Sequence, residues 1–448
     1  MKELGSAPVG KLLRRYAIPS IIAMTASSLY NMVDSIFIGR GVGAMALGGL
    51  AVTFPFMNLA AAFGALIGVG TANLISIKLG QKNYGEARRT LGNVVSLNVI
   101  LGLLFMAVSL IWLDPILVLF GASDNTLQYA HDYMQIILYG NVVTHMYLGL
   151  NTASRAVGHP NRAMYATILT VVLNAVLDPL FIFSFGWGVR GAAIATILAQ
   201  VVSLTWLLVE FAKPKERIHL QMRNLIPDIH IVRKSLSIGV SPFVMNSAAC
   251  LIVIFINRGL MSHGGDYAVS AFGIVNRFVF IFAMIVLGVN QGMQPIAGYN
   301  FGAQMIDRLF RVLKLTIFWA TVIMTLQCIV AQLIPEMVAR LFTTDPLLIE
   351  EAAHGMRLFT IAAPIVGFSM VTSNFFQSIG MAPQSIFLSL TRQILFLLPL
   401  LVILPRFWGV SGIWYSIPIS DTLAFICSAV MLIYHMKKFR REGLHTRL

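Results

Sequence analysis

The chain has 448 residues, 57% of them hydrophobic and 11% charged, with a mean hydropathy of +0.80 and a formal net charge of +14. A soluble domain carries about 25% charged residues, so this composition excludes an ordinary soluble globular protein. Cys250, Cys328 and Cys427 each sit alone in an apolar run, which excludes a disulfide framework and a cysteine zinc site and leaves them as packing residues.

Apolar stretches recur from end to end, and the predicted spans cover residues 16–38, 50–77, 91–113, 127–153, 163–185, 191–211, 239–260, 271–297, 312–334, 355–379, 384–404 and 411–435. Each approaches or exceeds the roughly 20 residues that cross a hydrocarbon core of about 30 Å. Such runs are too long for barrel strands, and a helix satisfies its own backbone in lipid. The predicted fold class is therefore an all-α polytopic membrane protein of about twelve transmembrane helices. Lys11, Arg14 and Arg15 precede the first run without a small-residue cleavage site, so this run reads as a retained span.

If both termini are cytoplasmic, 24 of the 32 basic residues fall on the cytoplasmic side. The outer side receives six, and Arg277 and Arg392 stay within or beside spans. This bias follows the positive-inside rule, so the basicity expresses topology rather than a nucleic-acid partner.

The sequence also repeats itself. Trp187-Gly188-Val189 returns as Trp408-Gly409-Val410, Leu119-Phe120 as Leu341-Phe342, Gly158 as Gly380 and Pro179 as Pro399, at spacings of 220 to 222 residues. Six spans per repeat give both halves the same orientation, as in transporters built from parallel repeats. The predicted organisation is two pseudo-symmetric six-helix lobes, residues 1–211 and 239–448. The polar stretch 212–238, a short amphipathic segment at the cytoplasmic face, joins them.

Acids inside spans are costly, about 2.5–3.5 kcal/mol each, and so are candidates for function. Asp34, Asp178 and Asp421 qualify. Ser27, Tyr30 and Asn31 lie seven, four and three residues before Asp34 and share its helical face. Asn174 shares the face of Asp178, and the following Pro179 frees the Ala175 carbonyl. At 1.5 Å per residue, Asp34, Asp178 and Thr196 lie roughly 6, 10 and 8 Å below the outer ends of their spans. Two carboxylates with amide, hydroxyl and carbonyl oxygens suit a hard monovalent cation; repulsion and burial would instead keep a proton on one of them. Simple hydrogen bonding between helices is the plain alternative. Asp421, after Pro418, has no second acid nearby, and a functional and a helix-pairing role stand side by side. Arg392 and Gln393 either snorkel or pair with a polar neighbour, and His145 reads as a satisfied core histidine.

The segments Leu29–Gly39, Asn174–Phe181, Trp187–Thr196 and Gly288–Ala303 resemble the multidrug and toxic compound extrusion (MATE) family, within a superfamily that also holds lipid-linked sugar flippases. The resemblance covers essentially the whole chain. It implies export of cationic amphipathic compounds against inward flow of Na⁺ or H⁺, no cofactor beyond that ion and no enzymatic step. It further implies a single copy in the inner membrane of a prokaryote. The family's coupling-cation site falls on Asp34, Asn174, Asp178 and Thr196, which would hold Na⁺ if sodium is the coupling ion. Ser27, Tyr30, Asn31, Asn246 and Asp421 are candidates to line a cavity. One branch carries acids in the seventh and tenth spans. Here those spans offer Asn246, Cys250 and Asn257, then Asn374 and Gln377, so the pattern is closer to the DNA-damage-inducible branch. A flippase for a lipid-linked saccharide is the alternative transporter, although such proteins often have more spans and several basic cavity residues.

Overall fold

The computed structural model describes residues 2–214 and 216–442, and among them there is helix but no strand. Among the described residues nine helices are long and apolar enough to cross a membrane, or ten when Pro346–Thr360 and Ala363–Ser378, bent by 53°, count as one span. The first span, Val9–Gly41, and the fourth, Leu127–Tyr139 followed by Asn141–Ala156, complete the expected set. The fourth is interrupted at Gly140 and the tenth at Ile361–Ala362, so neither repeat has an unbroken fourth helix. The fifth and eleventh spans also match in kind: each carries a π-helical stretch, Leu180–Ser184 just after Pro179 and Thr391–Leu397 just before Pro399. In both spans the α-helical ladder is disturbed beside a proline, which lacks the N–H to continue it.

The repeat is written into the backbone. Left-handed residues recur as Gly43 and Gly265, Lys82 and Gln304, Gly158 and Gly380, all 222 apart, and as Gly188 and Gly409, 221 apart. Lys82 and Gln304 end the second and eighth spans with the same pair of bonds. Asn83 N–H donates to the Lys78 carbonyl and Met305 N–H to the Asn300 carbonyl, both at 2.9 Å. This helix-ending motif normally selects glycine, because an L side chain crowds the left-handed conformation. Both repeats tolerate a long side chain there.

The chain forms two compact units. One contains Ile22–Phe243 with the N-terminal segment through Ser6; the other contains Ala7–Ile21 and runs on from Val244. The division falls inside the first span after residue 21 and inside the seventh after residue 243, again 222 apart. The second unit therefore includes the first thirteen residues of the first span, and the first unit includes the start of the seventh. That seventh helix begins at Ile229, ten residues before its expected apolar start, because Ile231 and Ile238 are buried with Leu74.

These segments dock by near contact of backbones. In the first unit a Cβ on Gly239 would lie 1.7 Å from the Leu66 carbonyl oxygen, and one on Gly70 would lie 2.1 Å from that of Ser235. In the second unit a Cβ on Gly292 would lie 2.6 Å from Ala17 N, and one on Gly288 2.6 Å from Ile21 Cα. In lipid, where helices gain nothing from burying apolar surface against one another, such close packing supplies the attraction. Gly239→Leu and Gly292→Leu should each lower the thermal unfolding midpoint in detergent, by the equivalent of roughly 1–3 kcal/mol or more. Gly273→Ala, whose Cβ would meet nothing within 4 Å, should not. Equal midpoints for all three would remove the packing argument.

Candidate cation site

The fifth span places Asn174 and Asp178 one turn apart, and the sixth brings Thr196 beside them. Asn174 Nδ2 donates to Asp178 Oδ1 at 3.0 Å and to Thr196 Oγ1 at 3.3 Å. The first span supplies Asp34, whose carboxyl meets that of Asp178 within hydrogen-bonding range. All four side chains are at least 95% buried, and Asp178 is fully so. Two ionised carboxylates are both pure acceptors, so the contact requires a proton or a cation between them.

The cluster is incomplete. Asp34 Oδ1, Asn174 Oδ1 and Asp178 Oδ2 have no hydrogen-bond partner among the described residues. Leaving a buried polar atom unsatisfied costs about 1–3 kcal/mol. Three oxygens of carboxylate and amide type, on side chains already joined by hydrogen bonds, match the donor chemistry of a hard cation.

A polar file continues along the same helix faces. Thr170 Oγ1 donates to Ser203 Oγ at 2.8 Å, and Asn151 Nδ2 to Thr167 Oγ1 at 3.2 Å. Arg155 Nη1 donates to Asn151 Oδ1 at 2.7 Å. Residues 167, 170, 174 and 178 are three or four apart, so this file was visible in the spacing although the sequence reading did not extend it past Asn174. Beyond the span ends, Arg162 and His159 hold Glu216 at 2.6 and 3.2 Å. Burial alone would raise the Glu216 carboxyl; the hydrogen bond from Arg162 and the charges of His159 and Arg162 outweigh it and hold the group below its usual value.

The other singled-out residues separate. Ser27 is half-buried on the first span, and Asn246 is half-buried in the second unit. The side chains of Tyr30 and Asn31 lie outside the described residues. His145 is a core residue, its Nε2 3.0 Å from the Ala60 carbonyl oxygen. Asp421 lies in the second unit with Arg392, whose Nε donates to Asp421 Oδ1 at 2.7 Å, while Ser420 Oγ donates to the Arg392 carbonyl at 2.7 Å. The sequence reading allowed each a polar partner but did not pair the two.

A family model described as MatE matches the chain twice, over residues 19–180 and 242–403. The chain belongs to the MatE family. The two matches start 223 residues apart, in keeping with the repeat. Multidrug export protein MepA of Staphylococcus aureus (strain MRSA252) is 25% identical over 431 residues, covering 96% of this chain and 95% of MepA. Among solved structures, the MATE multidrug transporter DinF-BH is 36% identical, with a TM-score of 0.89 and 96% of both chains covered. An outward-facing multidrug resistance MATE family transporter is 26% identical, with a TM-score of 0.92, covering 97% of this chain and 98% of its own. The higher identity to DinF-BH agrees with the expected branch of MatE proteins.

The Arg392–Asp421 pair leads to a prediction. Asp421→Asn leaves the guanidinium without a counter-charge inside its span. Removing one member of a buried pair costs about 3–5 kcal/mol; because a third of the Arg392 side chain is exposed, the expected loss is roughly 1–3 kcal/mol. The double variant Arg392→Gln/Asp421→Asn should recover most of the folded yield and thermal stability. Full stability of the single variant would show that the pair holds nothing together.

Proposed function

We propose that this protein is a secondary active antiporter that exports cationic, amphipathic organic compounds in exchange for Na⁺ or H⁺, with coupling at Asp34, Asn174, Asp178 and Thr196. One observation carries the reading: two buried carboxyl groups in contact, where one oxygen of each and the Asn174 amide oxygen have no hydrogen-bond partner among the described residues. A charge that expensive to bury is tolerable when a cation comes and goes. Membership of MatE, and relatives named for multidrug export and multidrug transport, support export as the direction of function and transport rather than catalysis. The charge bias supports an inner-membrane protein with both termini in the cytoplasm, and the chain is proposed to work as a single copy.

The residues divide the work. Asp34 and Asp178 compete for one positive charge, because neither can stay ionised beside the other in a low-dielectric site without it. Asn174 orients Asp178 through its amide and offers its own oxygen to a cation. Thr196 fixes Asn174 from the neighbouring helix. Loading or unloading the pair changes the charge held between the first, fifth and sixth spans. A ligand shifts a conformational equilibrium only through different affinity for its two states. Loss of the bound cation supplies such a difference for an organic cation.

The test is efflux of ethidium from proteoliposomes containing the purified chain, under separately imposed Na⁺ and H⁺ gradients. Asp178→Asn should abolish gradient-driven efflux, and Asp34→Asn should slow it roughly tenfold or more, both at wild-type insertion. Asp421→Asn protein that folds should retain coupling. Wild-type efflux by both first-unit variants would place coupling elsewhere.

A further inference from the structure

The first unit lays its own chain over the start of its third span, and the matching helix of the second unit opens there into a groove. In the first unit the third span starts under the linker: a Cβ on Gly92 would lie 2.0 Å from the Asn224 carbonyl oxygen, so the turn Met222–Leu225 rests directly on the helix. Asp228 follows that turn, with its carboxylate 4.0 Å from Arg89 and its N–H donating to Asn93 Oδ1 at 3.3 Å. Linker backbone thus lies over the helix end, and a carboxylate stands beside its cation, which stays exposed.

The equivalent helix of the second unit is Ile306–Leu333, where the repeat sets Arg311 at the place of Arg89 and Lys314 at that of Gly92. Both side chains are exposed, and among the described residues neither has an acidic partner. Asp307, one turn before Arg311, makes no ion pair with it. More positive charge arrives with the last helix. Its end is pinned here by Phe439 against Phe301, centroids 6.2 Å apart, and by the Arg440 guanidinium 5.7 Å from the Phe310 ring. Lys437 and Arg441 are exposed on the same terminal turns.

From Lys314 an open groove of about 650 Å³ runs along the helix past Phe318, Val322 and Leu326 to Ile329. Those four apolar side chains are 57%, 41%, 53% and 48% exposed. At 1.5 Å per residue the groove is about 22 Å long, more than the roughly 15 Å depth of one hydrocarbon leaflet. We propose that this groove is a binding site for an anionic phospholipid, with its phosphate at Arg311, Lys314 and the Arg440–Arg441 turn and one acyl chain along Phe318 to Ile329. The charge is complementary and the order is that of a lipid, a cationic mouth opening onto an apolar channel. A zwitterionic lipid brings its own cation to the mouth and gains less from it. Basic residues near a membrane surface favour an anionic headgroup.

The experiment is native mass spectrometry of the full chain in detergent, with equal amounts of dioleoyl phosphatidylglycerol or dioleoyl phosphatidylcholine added. Wild type should retain the anionic lipid roughly tenfold more than the zwitterionic one. Arg311→Gln/Lys314→Gln should lose that preference, whereas Arg223→Gln/Arg233→Gln, an equal charge change in the first unit, should keep it. Thr321→Trp, which fills the groove, should weaken retention of the dioleoyl lipid but not of a dihexanoyl analogue. Excess inorganic phosphate should displace nothing. Equal retention of the two lipids by wild type, or an unchanged preference in Arg311→Gln/Lys314→Gln, overturns the proposal. So does displacement by phosphate alone, which would make this a site for the free ion.

Discussion

The structure depends on one constraint: the hydrocarbon offers no hydrogen bonds, so every polar group taken into it must find its partner inside the protein. Most do so locally. Ser20, Thr71, Ser76, Thr316 and Ser416 each return a hydroxyl to the carbonyl one turn earlier, at 2.6 to 3.0 Å. Others pair between helices, as Thr144 does with Gln200 and Ser373 with Ser389. Against that background the open oxygens of Asp34, Asn174 and Asp178 stand out by kind as well as by burial. Carboxylates are the most expensive groups to leave incomplete, and these two touch.

Duplication kept geometry more strictly than chemistry. The pair Lys78 and Glu86, bridged at 3.0 Å, becomes Asn300 and Arg308, bonded at 3.0 Å through Arg308 Nε and Asn300 Oδ1. The spacing and the contact survive, while the charges have been redistributed. Arg308 also donates through Nη2 to the Ala7 carbonyl at 2.7 Å, tying down the segment that joins the second unit. Leu398 stands where the repeat places the counterpart of Asp178, so the carboxyl pair belongs to one unit alone. Two similar scaffolds thus carry different electrostatics, a pair of carboxyl groups in one and an internally neutralised Arg392–Asp421 pair in the other.

Much of this was legible in the sequence. Hydrophobic length gave the spans, and the 222-residue repeat gave two equivalent halves. Helical spacing put Asn174 on the face of Asp178, and similar depth put Asp34 and Thr196 within reach. Partners on different helices were less legible. Arg392 and Asp421 are 29 residues apart, and periodicity gives the face of a helix but not the neighbour it meets. The breaks at Gly140 and at Ile361–Ala362 carry no strong local signal, since Gly140 keeps a negative φ open to any residue and Pro364 sits in a first helical turn where proline is tolerated. The assignment of Ala7–Ile21 to the second unit rests on Gly288 and Gly292, which sequence shows only as small residues in an apolar run.

The central claim is that Asp34 and Asp178 share a single exchangeable positive charge. Cation-induced infrared difference spectroscopy of the purified protein tests it directly, by following the stretches of protonated and ionised carboxyl groups as pH rises from weakly acidic to weakly alkaline and as Na⁺ is added. The account expects a carboxyl signal in wild type that responds to H⁺ or Na⁺ and disappears in Asp178→Asn. A response of the same size in Asp178→Asn, or none in folded wild-type protein, would contradict it.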